Sequence, residues 1–108
     1  MKSKIHRATV TGADVDYAGS ISIDTDLMKA ADILEWEQVA VLDVDNGNRF
    51  ETYAIAGDPG QVQLNGAAAR LVEVGHRVIL VTYADYDDDD LATFEPIAVK
   101  VDARNRPV

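Results

Sequence analysis

Apolar and polar residues alternate in short runs along most of the chain, the period of half-buried strands. From Ile5 to Thr11, alternation puts Ile5, Arg7, Thr9 and Thr11 on one face and His6, Ala8 and Val10 on the other. Gly12-Ala13-Asp14 reads as a turn, and alternation resumes from Tyr17 to Ile23. Asp24-Thr25-Asp26 then opens a helical stretch, Leu27 to Ala31, with an Asp placed to cap it. Val39-Ala40-Val41-Leu42 reads as a buried strand. Asn46-Gly47 follows, the strongest short signal for a hairpin, and the return strand runs from Arg49 to Ala56. Gly57-Asp58-Pro59-Gly60 is a second turn, and Val62 to Leu64 a short strand. Asn65 to Leu71 reads as a glycine-containing turn entering one or two helical turns. Arg77 to Tyr83 is the last strong strand and Ile97 to Val101 a weaker one, and the tail from Arg104 to Val108 reads as loose. Six or seven short strands separated by turn chemistry predict an all-β domain, barrel or sandwich.

Composition narrows the class. The chain has 108 residues, 47% apolar and 27% charged, and reads as one globular domain spanning 1–108. Ten basic against nineteen acidic residues give a net charge of −9, which argues against binding nucleic-acid phosphates or an anionic membrane surface. There is no cysteine, so disulfides, thiol nucleophiles and thiolate metal sites are excluded. Met1 to Arg7 lacks the apolar stretch of a secretory signal, and the longest clean apolar run is Val78 to Val81. The expectation is a cytoplasmic protein. A domain of this size buries little over ~60% of its unfolded surface. It has little interior to spare, so an active site is expected on the surface or between subunits.

Several segments could carry chemistry. Asp85, Asp87, Asp88, Asp89 and Asp90 supply oxygen ligands in excess, but Asp90 and Pro96 stand where a calcium loop needs its glycine and its bidentate glutamate. A solvated acidic loop is the expectation, and Asp43-Val44-Asp45 fails the same template. His6 and His76 each lack a second imidazole at metal-ligand spacing, so no metal site is expected. His6 lies between Lys4 and Arg7, where a local anion site and a strand of alternating charge are both open. Gly19-Ser20 falls inside a strand-like run, as a bulge or as a strained backbone with a hydroxyl beside it. Arg49 offers a planar fork for a carboxylate and Tyr53 a phenolic proton, on a strand face that Glu51 shares. Asn65-Gly66-Ala67-Ala68 is a small-residue turn whose N–H groups could meet an anion, or a plain helix start.

Together these segments resemble pyruvoyl-dependent aspartate 1-decarboxylase. The likeness rests on Lys4-Ile5-His6-Arg7 with Val10-Thr11 and Ala13-Asp14, then on Tyr17-Ala18-Gly19-Ser20 with Ile23-Asp24. It continues through Asn46-Gly47-Asn48-Arg49-Phe50-Glu51-Thr52-Tyr53-Ala54-Ile55, Asn65 to Ala69, Val74-Gly75 and Val78-Ile79. Gly12, Ala18 and Arg70 depart from residues common in that family. The resemblance implies a double-psi β-barrel with short helices, assembled as a homotetramer with sites between subunits. It implies autocatalytic cleavage between Gly19 and Ser20 into fragments 1–19 and 20–108. Ser20 would become a covalent pyruvoyl group that forms a Schiff base with L-aspartate, releasing carbon dioxide and β-alanine for pantothenate synthesis. On that basis Tyr53 matches the proton donor, and Thr52 a residue that assists cleavage and contacts substrate. The backbone of Gly66, Ala67 and Ala68 matches the substrate-binding turn. Arg49 and Lys4 would bind carboxylates, and His6, Tyr17 and Asn65 would line the site. Two alternatives stay open: a non-catalytic double-psi barrel used for binding, and a decarboxylase of a related amino acid such as glutamate. Whether cleavage needs a maturation factor is open as well.

Overall fold

The computed structural model describes residues 1–108. Eight strands form one mixed sheet: β1 (Ser3–Thr9), β2 (Gly12–Asp14), β3 (Ser20–Asp24), β4 (Gln38–Asp43), β5 (Arg49–Gly57), β6 (Val62–Asn65), β7 (Arg77–Thr82) and β8 (Ile97–Lys100). Helical structure is confined to α1 (Thr25–Ala30), a 3-10 helix (Gly66–Leu71) and α2 (Asp88–Leu91). The strand order is β2-β6-β3-β5-β4-β7-β1-β8, and the pairs β1/β8, β2/β6 and β3/β5 are parallel. The all-β expectation holds. The short β2 fell on residues that read as a turn; it exists because β6 gives it a parallel partner.

Local chemistry accounts for the elements around the site. Asp24 caps α1, one carboxylate oxygen accepting from the Asp26 N–H at 2.8 Å and the other from Gly60 at 2.7 Å. The β4–β5 hairpin closes on Asp43, whose Oδ1 accepts from the Asp45 and Asn46 N–H groups, while Gly47 takes φ +79°, open to glycine at no steric cost. β5 then pairs back onto β4 with Leu42 opposite Arg49 and Gln38 opposite Tyr53. Ile5, Ala8, Val10, Ile21, Ile23, Val39, Val41 and Leu80 are almost wholly buried, each of the larger ones contributing ~1.5–3 kcal/mol by leaving water.

Three expectations are corrected. Simple alternation in β1 fails, because the ladder to β7 slips between Ile5 and Ala8 and Arg7 takes φ +63°. That bulge turns Ile5, Ala8 and Val10 all inward, so Ile5 leaves the face expected for it and His6 leaves that of Ala8. The stretch from Tyr17 to Gly19 is a turn outside the strand, and β3 begins at Ser20. The tail is not loose. Asn105 is fully buried, donates to the carbonyls of Thr9 and Gly60, and accepts from the Thr9 N–H.

One contact in the fold titrates. His76 Nδ1 lies 2.8 Å from Oδ2 of the buried Asp43, tying the start of β7 to the hairpin turn. The Asp43 hydrogen bond raises the His76 pKa above 6.5; desolvation opposes this, and the charges of Asp43, Asp45 and Glu73 add to it. A raised native pKa means protonation favours the folded state. This stabilisation is complete below the unfolded value of about 6.5 and is lost as pH rises through the native value. The thermal midpoint of His76→Gln should therefore fall furthest below wild type in acid and approach it above neutrality. A difference constant with pH would show that the charged pair contributes nothing.

Candidate active site

Ser20 opens β3 and is 1% exposed. Its hydroxyl donates to the Ala18 carbonyl at 2.9 Å, so the side chain turns back over Gly19. It also accepts from Asn65 Nδ2 at 2.9 Å. The ladder between β3 and β6 makes this contact, with Ser20 opposite Asn65. Asn65 is fully buried, its second amide contact goes to Ser22, and its carbonyl oxygen accepts from Gln63. Every polar atom of this amide is engaged, which fixes its orientation on the Ser20 hydroxyl.

Gly66 follows with φ +66°, and a Cβ placed on it would stand 2.6 Å from the Gly19 Cα and 3.3 Å from the Tyr17 carbonyl. Only glycine permits both the backbone angle and this approach. Gly19, Ser20, Tyr17, Asn65 and Gly66 therefore meet at one place. Ala67 and Ala68 continue from it into the 3-10 helix, whose Leu71 carbonyl accepts from Asn46 and Asn48 of the hairpin turn.

β5 runs beside Ser20 on the other side. Its parallel ladder to β3 starts at Ile21 opposite Ala54, so Ser20 and Tyr53 are the next positions out. Arg49, Glu51 and Tyr53 alternate onto one face, as the sequence predicts, while Phe50 and Thr52 stand opposite the buried Val41 and Val39. Arg49 and Glu51 line an open depression of about 200 Å³ with Ala40, Leu42, Phe50 and Tyr83. Thr52 and Tyr53 line a second, of about 330 Å³, with Gln38 and Glu51. Glu51 is bonded by Gln38 Nε2 at 2.6 Å, and Arg49 has no carboxylate partner. The hydroxyls of Thr52 and Tyr53 make no hydrogen bond within the chain.

Lys4 and His6 lie on β1, which pairs with β7 and β8. Lys4 pairs with Val81, Val81 with Ala40, and Ala40 with Glu51, one row across the sheet. His6 is held below its usual pKa by desolvation first, then by the charges of Lys4, Arg7 and Lys100. Its buried Nδ1 has no partner. One chain thus sets the Ser20 group beside the β5 group, while Lys4 and His6 share no side-chain hydrogen bond or ion pair with either.

Sequence reading passed over two features. Asp43, Asp45 and His76 place ligand atoms within 4.8 Å of one another, although their positions are 33 residues apart at the widest and share no local signature. Oxygens of both carboxylates already accept backbone N–H groups, from Asp45 and Asn46 at Asp43 and from Arg77 at Asp45. The other is Trp36, whose ring lies 5.7 Å from that of Tyr53. Asp87 stands at the N-cap of the exposed α2 and Asp88 to Asp90 form most of it, outside both groups.

The chain matches the sequence profile of aspartate decarboxylases over residues 1–108. It is 57% identical over 108 aligned positions to an aspartate 1-decarboxylase of Acetivibrio thermocellus, covering 98% of this chain and 86% of that protein. It is 58% identical over 106 positions to an aspartate 1-decarboxylase of Campylobacter jejuni, covering 97% and 84%. With glycine, serine and a buried asparagine meeting beside a free tyrosine, and with this identity along almost its whole length, the chain belongs to the aspartate decarboxylase family.

Proposed function

We propose that the chain decarboxylates L-aspartate to β-alanine, using a pyruvoyl group that it makes from its own Ser20. The observation that carries this is the junction at Gly19–Ser20, with the hydroxyl held by Asn65 and the backbone crowded by Gly66. That arrangement brings a hydroxyl, a buried amide and a glycine-only turn onto one peptide bond. The residues fit the group, because a planar ketone at position 20 needs no more room than serine.

Maturation starts when Ser20 Oγ attacks the Gly19 carbonyl carbon. The C–N bond of that peptide breaks, an ester replaces it, and the hydroxyl proton passes to the freed amine. The oxyanion formed on the way needs a donor, and the unpartnered Thr52 hydroxyl is our choice. Elimination then releases the Gly19 carboxylate and leaves a double bond on residue 20. Water displaces its nitrogen as ammonia, giving the ketone. The pyruvoyl ketone supplies an electron sink that no ordinary side chain offers.

The remaining work belongs to the chain. Arg49 grips one carboxylate of the substrate with its fork, and Lys4 adds a second positive charge. The Gly66, Ala67 and Ala68 N–H groups steady the ligand, with His6, Tyr17 and Asn65 around it. Tyr53 delivers a proton to the carbon that has lost carbon dioxide. Lys4 and His6 share no side-chain hydrogen bond or ion pair with the Ser20 group, and a domain this small has little interior for a pocket, so we place the complete site between subunits of a homotetramer. We further read the sheet as a double-psi β-barrel. Its three parallel pairings, each joining strands apart in sequence, support that topology. No helix is long and apolar enough to cross a membrane, and we assign the enzyme to the cytoplasm.

A substrate panel tests the reading: L-aspartate should yield β-alanine, with L-glutamate turned over far more slowly. No β-alanine from cleaved protein would refute it. In the same assay Arg49→Lys loses the fork and keeps the charge. Removing one charge-assisted bond is worth ~1.5–3 kcal/mol, so KM should rise roughly ten- to a hundredfold. An unchanged KM would remove Arg49 from the site.

A further inference from the structure

Trp36 is the chain's only tryptophan, and it sits where a tryptophan is least at ease. It lies between α1 and β4 with φ +72°. Glycine, asparagine and aspartate enter this left-handed region readily; a bulky side chain there is an outlier. Burial does not explain it, since the residue is 68% exposed. Strained residues of this kind persist where their surroundings over-determine them.

The surroundings do so here. The Trp36 N–H donates to the Ala54 carbonyl at 2.7 Å, and the Ala54 N–H donates to the Glu37 carbonyl at 2.9 Å. The Glu35 carboxylate accepts from the Ala56 N–H at 3.2 Å. Glu37 accepts from the Leu34 N–H at 2.9 Å and pairs with Lys2 at 2.8 Å. The loop is therefore clamped onto β5 directly after Tyr53. The clamp brings the indole against the Tyr53 ring, with centroids 5.7 Å apart and planes tilted by 34°.

Tyr53 needs such a neighbour. Its hydroxyl has no hydrogen bond within the chain, and its strand face is open to solvent along the depression beside Thr52. A phenol free to swing on an open face would deliver its proton poorly. We propose that Trp36 is a positioning residue for the decarboxylation: its indole buttresses the Tyr53 ring, and the left-handed backbone is what turns the indole onto it. This rests on Tyr53 being the proton donor.

The test compares self-cleaved Trp36→Asn, Trp36→Phe and Tyr53→Phe proteins with wild type. Asparagine suits the left-handed backbone, so Trp36→Asn should fold, keep its thermal midpoint and cleave fully at Ser20. Its kcat for L-aspartate should fall roughly ten- to a hundredfold, the scale of a misplaced catalytic group, with KM little changed. Trp36→Phe keeps a ring beside Tyr53 and should recover most of that loss. Wild-type kcat in Trp36→Asn beside an inactive Tyr53→Phe overturns the inference and leaves the proton donor standing. Wild-type kcat in Tyr53→Phe overturns both. A Trp36→Asn defect that Trp36→Phe shares in full, or that tracks lost cleavage or a lowered midpoint, shows a merely structural role and overturns the inference too.

Discussion

Ser20→Ala should yield a folded chain that stays uncut and produces no β-alanine. The methyl group cannot attack the Gly19 carbonyl, and the hydroxyl turned back over that peptide is gone. Folding should survive. The hydroxyl's bonds to Ala18 and Asn65 are lost, but Asn65 keeps Ser22 at 3.1 Å and Gln63 at 2.9 Å. Each of the two lost hydrogen bonds is worth about 1 kcal/mol. Electrophoresis under denaturing conditions reads the cut, and a β-alanine assay reads the activity. Full activity in an uncut Ser20→Ala protein would end the pyruvoyl account. A wild-type chain that matched this variant in both readouts would be either a precursor awaiting a maturation factor or a non-catalytic binding domain.

Tyr53→Phe should separate maturation from turnover. In the proposed mechanism the phenol acts only after the pyruvoyl group exists, so this variant should cleave at Ser20 as wild type does. Its kcat should drop ~10²–10⁴-fold, the usual worth of a positioned general acid. KM should move little, because the groups proposed to bind the carboxylates, Arg49 and the Gly66 turn, are unchanged. The fold gives no reason for instability: the hydroxyl has no partner in the chain, and phenylalanine keeps the ring contact with Trp36. Unchanged kcat would assign the proton to another group.

Local chemistry was legible wherever a feature is made by neighbours in sequence. The Asp24 cap, the Asn46-Gly47 hairpin and the shared face of Arg49, Glu51 and Tyr53 all follow from spacing, and the structure contains them. Features made across the sheet were not legible. The bulge in β1 breaks a period that alternation assumes unbroken. Asn105 looks like a tail residue until Thr9 and Gly60 come to meet it. His76 and Asp43 meet only because β7 lies against β4.

The site divides in the same way. Gly19-Ser20 alone reads as an ordinary bulge, and Asn65-Gly66 alone as a helix start. Their juxtaposition depends on a ladder that pairs residues 45 positions apart. The family resemblance joined them before any contact could be seen. Trp36 escaped, because a positive φ leaves no mark in the residue type when the residue is neither glycine nor asparagine.

The central claim is that this chain cuts itself and turns Ser20 into a ketone. A denaturing intact-mass spectrum of the purified wild-type protein tests it most directly. The account predicts two species, residues 1–19 and residues 20–108. Their summed mass should equal that of the whole chain plus one water and minus one ammonia. A single uncut species in a preparation that decarboxylates L-aspartate would contradict it.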